Sequence, residues 1–100
     1  MIKHIVMWKF KDFAEGNDRK TNIKIAEKML LDLKYEIDAI NYLEMGVNVN
    51  ENSAAYDLVL YSEFKDMKAL EEYQNHPGHL KVADFIGKVR EARAVVDYEI

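Results

Sequence analysis

The segment Tyr73-Gln74-Asn75-His76-Pro77-Gly78-His79 places a phenol and two imidazoles around one helix-breaking proline. Pro77 suits the first turn of a new helix, so His79 falls at that helix's N-terminus. There the positive end of the macrodipole favours a neutral, base-competent imidazole. Tyr73, one turn before the break, could offer its hydroxyl to a developing enolate oxygen beside that base. The same pair could instead be structural, a Tyr–His hydrogen bond closing two helix ends. His76, directly before proline, is expected to cap or orient the second helix. The remaining histidine, His4, stands on an apolar-flanked strand. It could bind a substrate oxygen or pass a proton near neutral pH, or be a core group satisfied by one hydrogen bond.

These histidines make a poor zinc triad, because the kink at Pro77 spoils the helical spacing of His76 and His79 and His4 comes from a distant strand. With no cysteine, thiolate metal sites, disulfides and thiol nucleophiles are excluded. No phosphate loop, nucleotide fingerprint or nucleophile elbow is present. The reading is a site without metal or cofactor. Trp8, Tyr61 and Phe85 read as core or interface rather than as a cofactor platform.

The elements that must position these groups follow from periodicity. Ile2, His4, Val6, Trp8 and Phe10 alternate with Lys3, Ile5, Met7 and Lys9, which predicts a strand. Lys11 to Asn22 reads as a loop with Asn17 or Asp18 capping a long amphipathic helix that carries Ile23, Ala26, Met29, Leu30, Leu33 and Ile37. Tyr42–Val49 and Tyr56–Phe64 are strand-like runs around the polar turn Asn50–Ser53, with Gly46 marking a bulge or a close approach. After Asp66, a candidate N-cap, Leu70 and Tyr73 lie one helical turn apart. Beyond Pro77, Val82, Phe85, Ile86 and Val89 continue in a second helix, and Ala92–Ile100 returns to strand alternation. The order β-α-β-β-α-β predicts an α+β, ferredoxin-like fold with a four-stranded antiparallel sheet and helices on one face. Val59 and Tyr61 lie opposite Leu58 and Leu60, and Val95 lies opposite Ala94, Val96 and Tyr98. Both sheet faces are therefore apolar, and a second copy is the simplest cover for the open one.

One hundred residues that are 49% hydrophobic make one domain, 1–100, with a real core. Fourteen basic and eighteen acidic residues give a net charge of -4 with no basic stripe, which argues against nucleic acid and membrane surfaces as partners. Lys3 and Lys9 interrupt any apolar run long enough for a signal peptide or membrane span, so a cytoplasmic location is expected.

Lys3-His4 opening the first strand, the aromatic-x-x-His-Pro-x-His run Tyr73–His79, and Asp97-Tyr98 closing the last strand together resemble the stress-responsive dimeric α/β-barrel family. The likeness covers nearly the whole chain. It implies that two sheets face each other across a homodimer to form a barrel. Relatives include a plant polyketide cyclase, and similar folds include cofactor-free monooxygenases, lactone isomerases and heat-stable stress proteins. In cyclase-type members the tyrosine and final histidine of the helix-break run serve as acid and base, positions held here by Tyr73 and His79. The resemblance also places Trp8 and Leu60 in the strands that line the cyclase pocket, and His4 joins them as a candidate substrate-binding residue. The chain departs from the cyclase at Arg90 and Arg93, which stand where that member has a tryptophan and a leucine.

Two function classes follow. One is metal-free proton transfer on a small carbonyl compound, of cyclase or isomerase type, with His79 as base and Tyr73 as donor. The other is a non-catalytic stress-response module whose cavity holds a small hydrophobic ligand or nothing. Cofactor-free oxygenation is a third option.

Overall fold

In the computed structural model, which describes residues 1–100, strand β1 (Ile2–Phe10) buries Ile2, His4, Val6, Trp8 and Phe10, the alternate residues of its sequence. A two-residue turn follows, between β2 (Phe13–Ala14) and β3 (Asn17–Asp18). Glu15 and Gly16 at its centre have φ of 50° and 78°, the positive pair that a type I′ hairpin needs. This short hairpin lies in the stretch expected to be loop. Asp18 then caps α1 (Arg19–Asp32), its carboxylate accepting from the Thr21 amide at 2.8 Å.

Helix α1 was expected to reach Ile37, but it tightens into a 3-10 turn at Leu33–Tyr35. The turn keeps both Leu33 and Ile37 buried, so the apolar spacing persists while the helical repeat does not. Strand β4 (Tyr42–Val47) ends two residues early, and β5 (Leu58–Phe64) starts two residues late. The connection is longer than a tight hairpin for a local reason. Asn48, Asn50 and Asn52 each accept, through their side chains, the amide two residues on, at 2.8–2.9 Å. Such Asx turns compete with the ladder. Gly46 is a close approach and not a bulge: its register opposite Val59 is regular, and a Cβ there would lie 3.0 Å from Val59 Cγ1.

Helix α2 (Met67–Asn75) is capped by Asp66, which accepts from the Ala69 amide at 2.9 Å. Helix α3 (Pro77–Val89) runs straight into β6 (Arg90–Glu99), two residues earlier than the alternation suggested. The sheet order is β4-β5-β1-β6, all antiparallel, with the helices on one face: the ferredoxin-like α+β fold. The core joins Leu30 and Leu33 of the first helical segment, Leu70 and Tyr73 of α2, and Val82, Ile86 and Val89 of α3 to the buried face of β1 and β5.

The other face carries Ile5 and Met7 of β1, Val59 and Tyr61 of β5, and Val96 and Tyr98 of β6, with no layer of this chain over it. Met7, Val96 and Tyr98 are exposed there. At one end of that face, Lys3 Nζ donates to Tyr61 at 2.7 Å and to Glu63 at 3.0 Å. No helix is long and apolar enough to cross a membrane.

The Asp66 cap fixes where α2 starts, and α2 carries Tyr73. Asp66→Ala should cost about 1 kcal/mol, the usual worth of such a cap, and lower the melting temperature by about 4–8 °C. A thermal melt followed by circular dichroism checks it; an unchanged midpoint would mean that packing alone sets the helix start.

Candidate functional site

Pro77 has no amide hydrogen and ends α2, and the extended backbone of His76 (φ -64°, ψ 137°) turns the chain into α3. His76 Nδ1 accepts the Gly78 amide at 3.0 Å, so this imidazole is the N-cap of α3 and not a ligand. The space beside it is tight, since a Cβ on Gly78 would meet Glu36 Oε2 at 2.6 Å. The turn swings His79 back over the end of α2, where its ring centroid lies 4.5 Å from that of Tyr73.

No Tyr73–His79 hydrogen bond forms, so the helix-closing device does not hold. His79 Nδ1 instead lies 3.1 Å from the Gln74 carbonyl. A carbonyl only accepts, so Nδ1 carries the proton and Nε2 keeps the lone pair. Burial holds this imidazole below the ordinary histidine value, and the charges of His4 and Arg93 push the same way, while the Gln74 bond opposes them. The main cause is thus desolvation, where the sequence had suggested the helix dipole.

Tyr73 is completely buried, yet its hydroxyl has no hydrogen-bond partner in the protein. Phe64 packs against its ring at 5.1 Å and His4 at 6.2 Å. Burial raises its pKa well above the ordinary phenol range, with Arg93 opposing, so it is a phenol at neutral pH. A buried hydroxyl left unpaired costs about 1–3 kcal/mol, and few native groups tolerate that without a reason.

His4 owes its setting to strand register. It lies opposite Asp97 on β6 and Ser62 on β5, and paired positions share a sheet face. Its Nδ1 bonds the Asp97 carboxylate, which only accepts, so Nδ1 carries a proton and Nε2 is the ring atom free of this bond. Asp97 was visible in the sequence only as part of the family signature. Its pairing with His4 could have been found by sliding the last strand against the first until the apolar faces matched.

His4, Trp8, Leu60, Tyr73 and His79 all line one cavity of 280 Å³ between the sheet and the helices. Val6 completes its sheet side, Leu30, Val82 and Ile86 its helix side, and Arg90 and Arg93 also border it. Nowhere do three His, Asp or Glu side chains gather into a metal-binding group. What the cavity assembles is two imidazoles, that of His79 with its lone pair on Nε2, one protonated phenol without a partner, and an apolar wall.

The chain belongs to the stress responsive A/B barrel domain family, which it matches over residues 2–100. It is 30% identical over 79 residues to a protein of Streptomyces coelicolor, covering 79% of each chain. A dimeric protein of ferredoxin-like fold from Bacteroides fragilis superposes with a TM-score of 0.87 at 29% identity, covering 99% of this chain and 95% of that one. The hydroxynitrile lyase of Passiflora edulis superposes at 0.82 over 99% of this chain and 92% of that one; at 16% identity it shares the fold.

The desolvated imidazole has a consequence for pH. An unfolded chain protonates His79 near 6.5 while the folded one resists, so its contribution to stability is complete above that value and is lost as pH falls from 6.5 towards the folded pKa. In NMR titration the His79 ring should titrate below 6.5, and the acid-side loss of stability should be smaller in His79→Gln. A His79 midpoint at or above that of a free histidine would contradict the burial argument.

Proposed function

We propose that this chain is a homodimeric, cytoplasmic small-molecule enzyme that moves a proton at a carbon next to a carbonyl group, with His79 as base and Tyr73 as donor to the carbonyl oxygen. The observation that carries this reading is the buried Tyr73 hydroxyl without a protein partner, beside an imidazole that burial keeps neutral. His79 Nε2 takes the α-proton, the C–H electron pair moves into the carbonyl, and the enolate oxygen accepts a hydrogen bond from Tyr73. His4, held in place through Asp97, is a second polar group for a substrate oxygen. Trp8 and Leu60 pack against the apolar body of the substrate. Cyclisation and isomerisation both begin from such an enolate. Side chains at these positions supply roughly 10²–10⁴-fold for the base and 10²–10³-fold for one oxyanion donor. That the fold also serves a hydroxynitrile lyase supports a catalytic use of the scaffold.

Acetylacetone in D₂O is a direct probe, because loss of its α-proton signal reports proton abstraction. The protein should accelerate this exchange, and Tyr73→Phe should lower the acceleration about 10²-fold while leaving the melting temperature unchanged or higher, since it removes an unpaired buried hydroxyl. His79→Gln should abolish it. Exchange no faster than in buffer, or equal in all three proteins, would leave the ligand-binding module as the better reading.

The dimer rests on the open sheet face, where Met7, Val96 and Tyr98 are exposed, and on the dimeric Bacteroides fragilis relative. An apolar sheet face must be covered by a second layer, and a symmetric second copy can supply it. Light scattering should give about twice the chain mass of 11.7 kDa. Val96→Glu should shift it to a single chain with helix and strand content retained; a wild-type monomer would end the barrel reading.

A further inference from the structure

Arg90 and Arg93 are three residues apart on β6, a spacing that in a regular strand sends side chains to opposite faces. The register between β1 and β6 shifts here: Trp8 pairs with Arg93 and Lys9 with Ala92, but Phe10 pairs with Arg90, skipping Glu91. The irregularity exchanges an acid for a base on the cavity side of the sheet, and both arginines border the cavity. Re-aiming a side chain beside a site is a characteristic use of such a shift.

Neither guanidinium is paired. Arg19, by contrast, bonds Asp12, and the other ion pairs of the chain engage lysines or His4. Both arginines are exposed, standing at the rim while the apolar wall and the Tyr73–His79 pair lie within. Two fixed cations at the mouth of an apolar pocket match a molecule with an apolar body and one anionic end. The volume of 280 Å³, just below the range of about 300–1,000 Å³ usual for ligand sites, restricts that molecule to a compact one.

We propose that the substrate of this cavity is a small monocarboxylate with an apolar body, whose carboxylate is held by Arg90 and Arg93 while its carbonyl end reaches Tyr73 and His79. The proposal rests on the enzymatic reading above for the role of the carbonyl end. The carboxylate subsite itself does not depend on it. Arg93 is also close enough to act on the charge of both Tyr73 and His79, which ties the rim to the interior.

The single tryptophan, Trp8, lines the cavity and reports occupancy by its fluorescence. Titration with benzoate should change that signal, and the uncharged isostere benzamide should bind at least tenfold more weakly. Arg93→Gln and Arg90→Gln should each weaken benzoate several-fold and the double variant at least tenfold, with benzamide unaffected. Benzoate affinity should also fall as NaCl is raised, since exposed guanidinium groups are screened. The benzoate and acetylacetone assays separate the two ideas. Benzoate binding with no acetylacetone exchange removes the enzymatic reading and keeps the subsite; exchange without benzoate binding does the reverse. Equal affinity for acid and amide, or a double variant that binds benzoate as the wild type does, overturns the subsite. So does a double variant that fails to dimerise, because the arginines would then be serving a carboxylate of the partner copy.

Discussion

The register of the first strand governs everything else in this molecule. Strand β1 lies at the centre of the sheet, hydrogen-bonded on both sides, and one of its faces must be buried. A slip of one residue would bury Lys3, Ile5, Met7 and Lys9 and expose the apolar set, so the pairing is strongly specified. Once it is set, His4 has Asp97 beside it, Val6 has Leu60, and Trp8 has Arg93. The cavity wall is thus a by-product of packing the core. The polar groups on that side exist because particular positions on β1 and β6 carry His, Asp and Arg where an aliphatic residue would bury more apolar area.

A second constraint is the break at Pro77. Had α2 continued, His79 would lie more than a turn beyond Tyr73 on the same rod, and the two rings would not meet. The proline stops the first helix, His76 starts the second, and the rings come to 4.5 Å. The cost is visible at the Tyr73 hydroxyl, which the fold buries without a partner. Phenylalanine would serve packing better, so the hydroxyl answers to something other than stability.

Much of this could be read from the chain. Alternation in β1, the cap at Asp66 and the choice of Asn17 or Asp18 for the first helix were legible because they depend on side chains acting within a few residues. The helix break was plain for the same reason. The ends of α1, β4 and β5 were not. The 3-10 turn at Leu33–Tyr35 preserves the burial of Leu33 and Ile37, so hydrophobic spacing cannot distinguish it from helix. The Asx turns at Asn48–Ala54 shorten both strands through hydrogen bonds that no periodicity records. In the site, Tyr73 and His79 stand out locally because they flank a proline. Asp97 and the arginines do not, since their roles depend on pairing with strand positions distant in sequence. The register shift that skips Glu91 lies further still from sequence, because it depends on how α3 delivers the chain into β6.

The electrostatics of the cavity follow from burial and from the arginines acting together. Burial alone opposes both an imidazolium at His79 and a phenolate at Tyr73, which fixes each in its neutral form. Arg93 breaks this symmetry, working against the cation at His79 and in favour of an anion at Tyr73. A pocket so arranged disfavours the protonated base but supports negative charge on an oxygen near the phenol. An anionic group seated against the arginines would offset that positive field and let His79 hold a proton more easily. In the proposed role, His79 would then be a weaker base when the cavity is vacant and a stronger one as the anion arrives, which would couple proton abstraction to the presence of the molecule that supplies the proton.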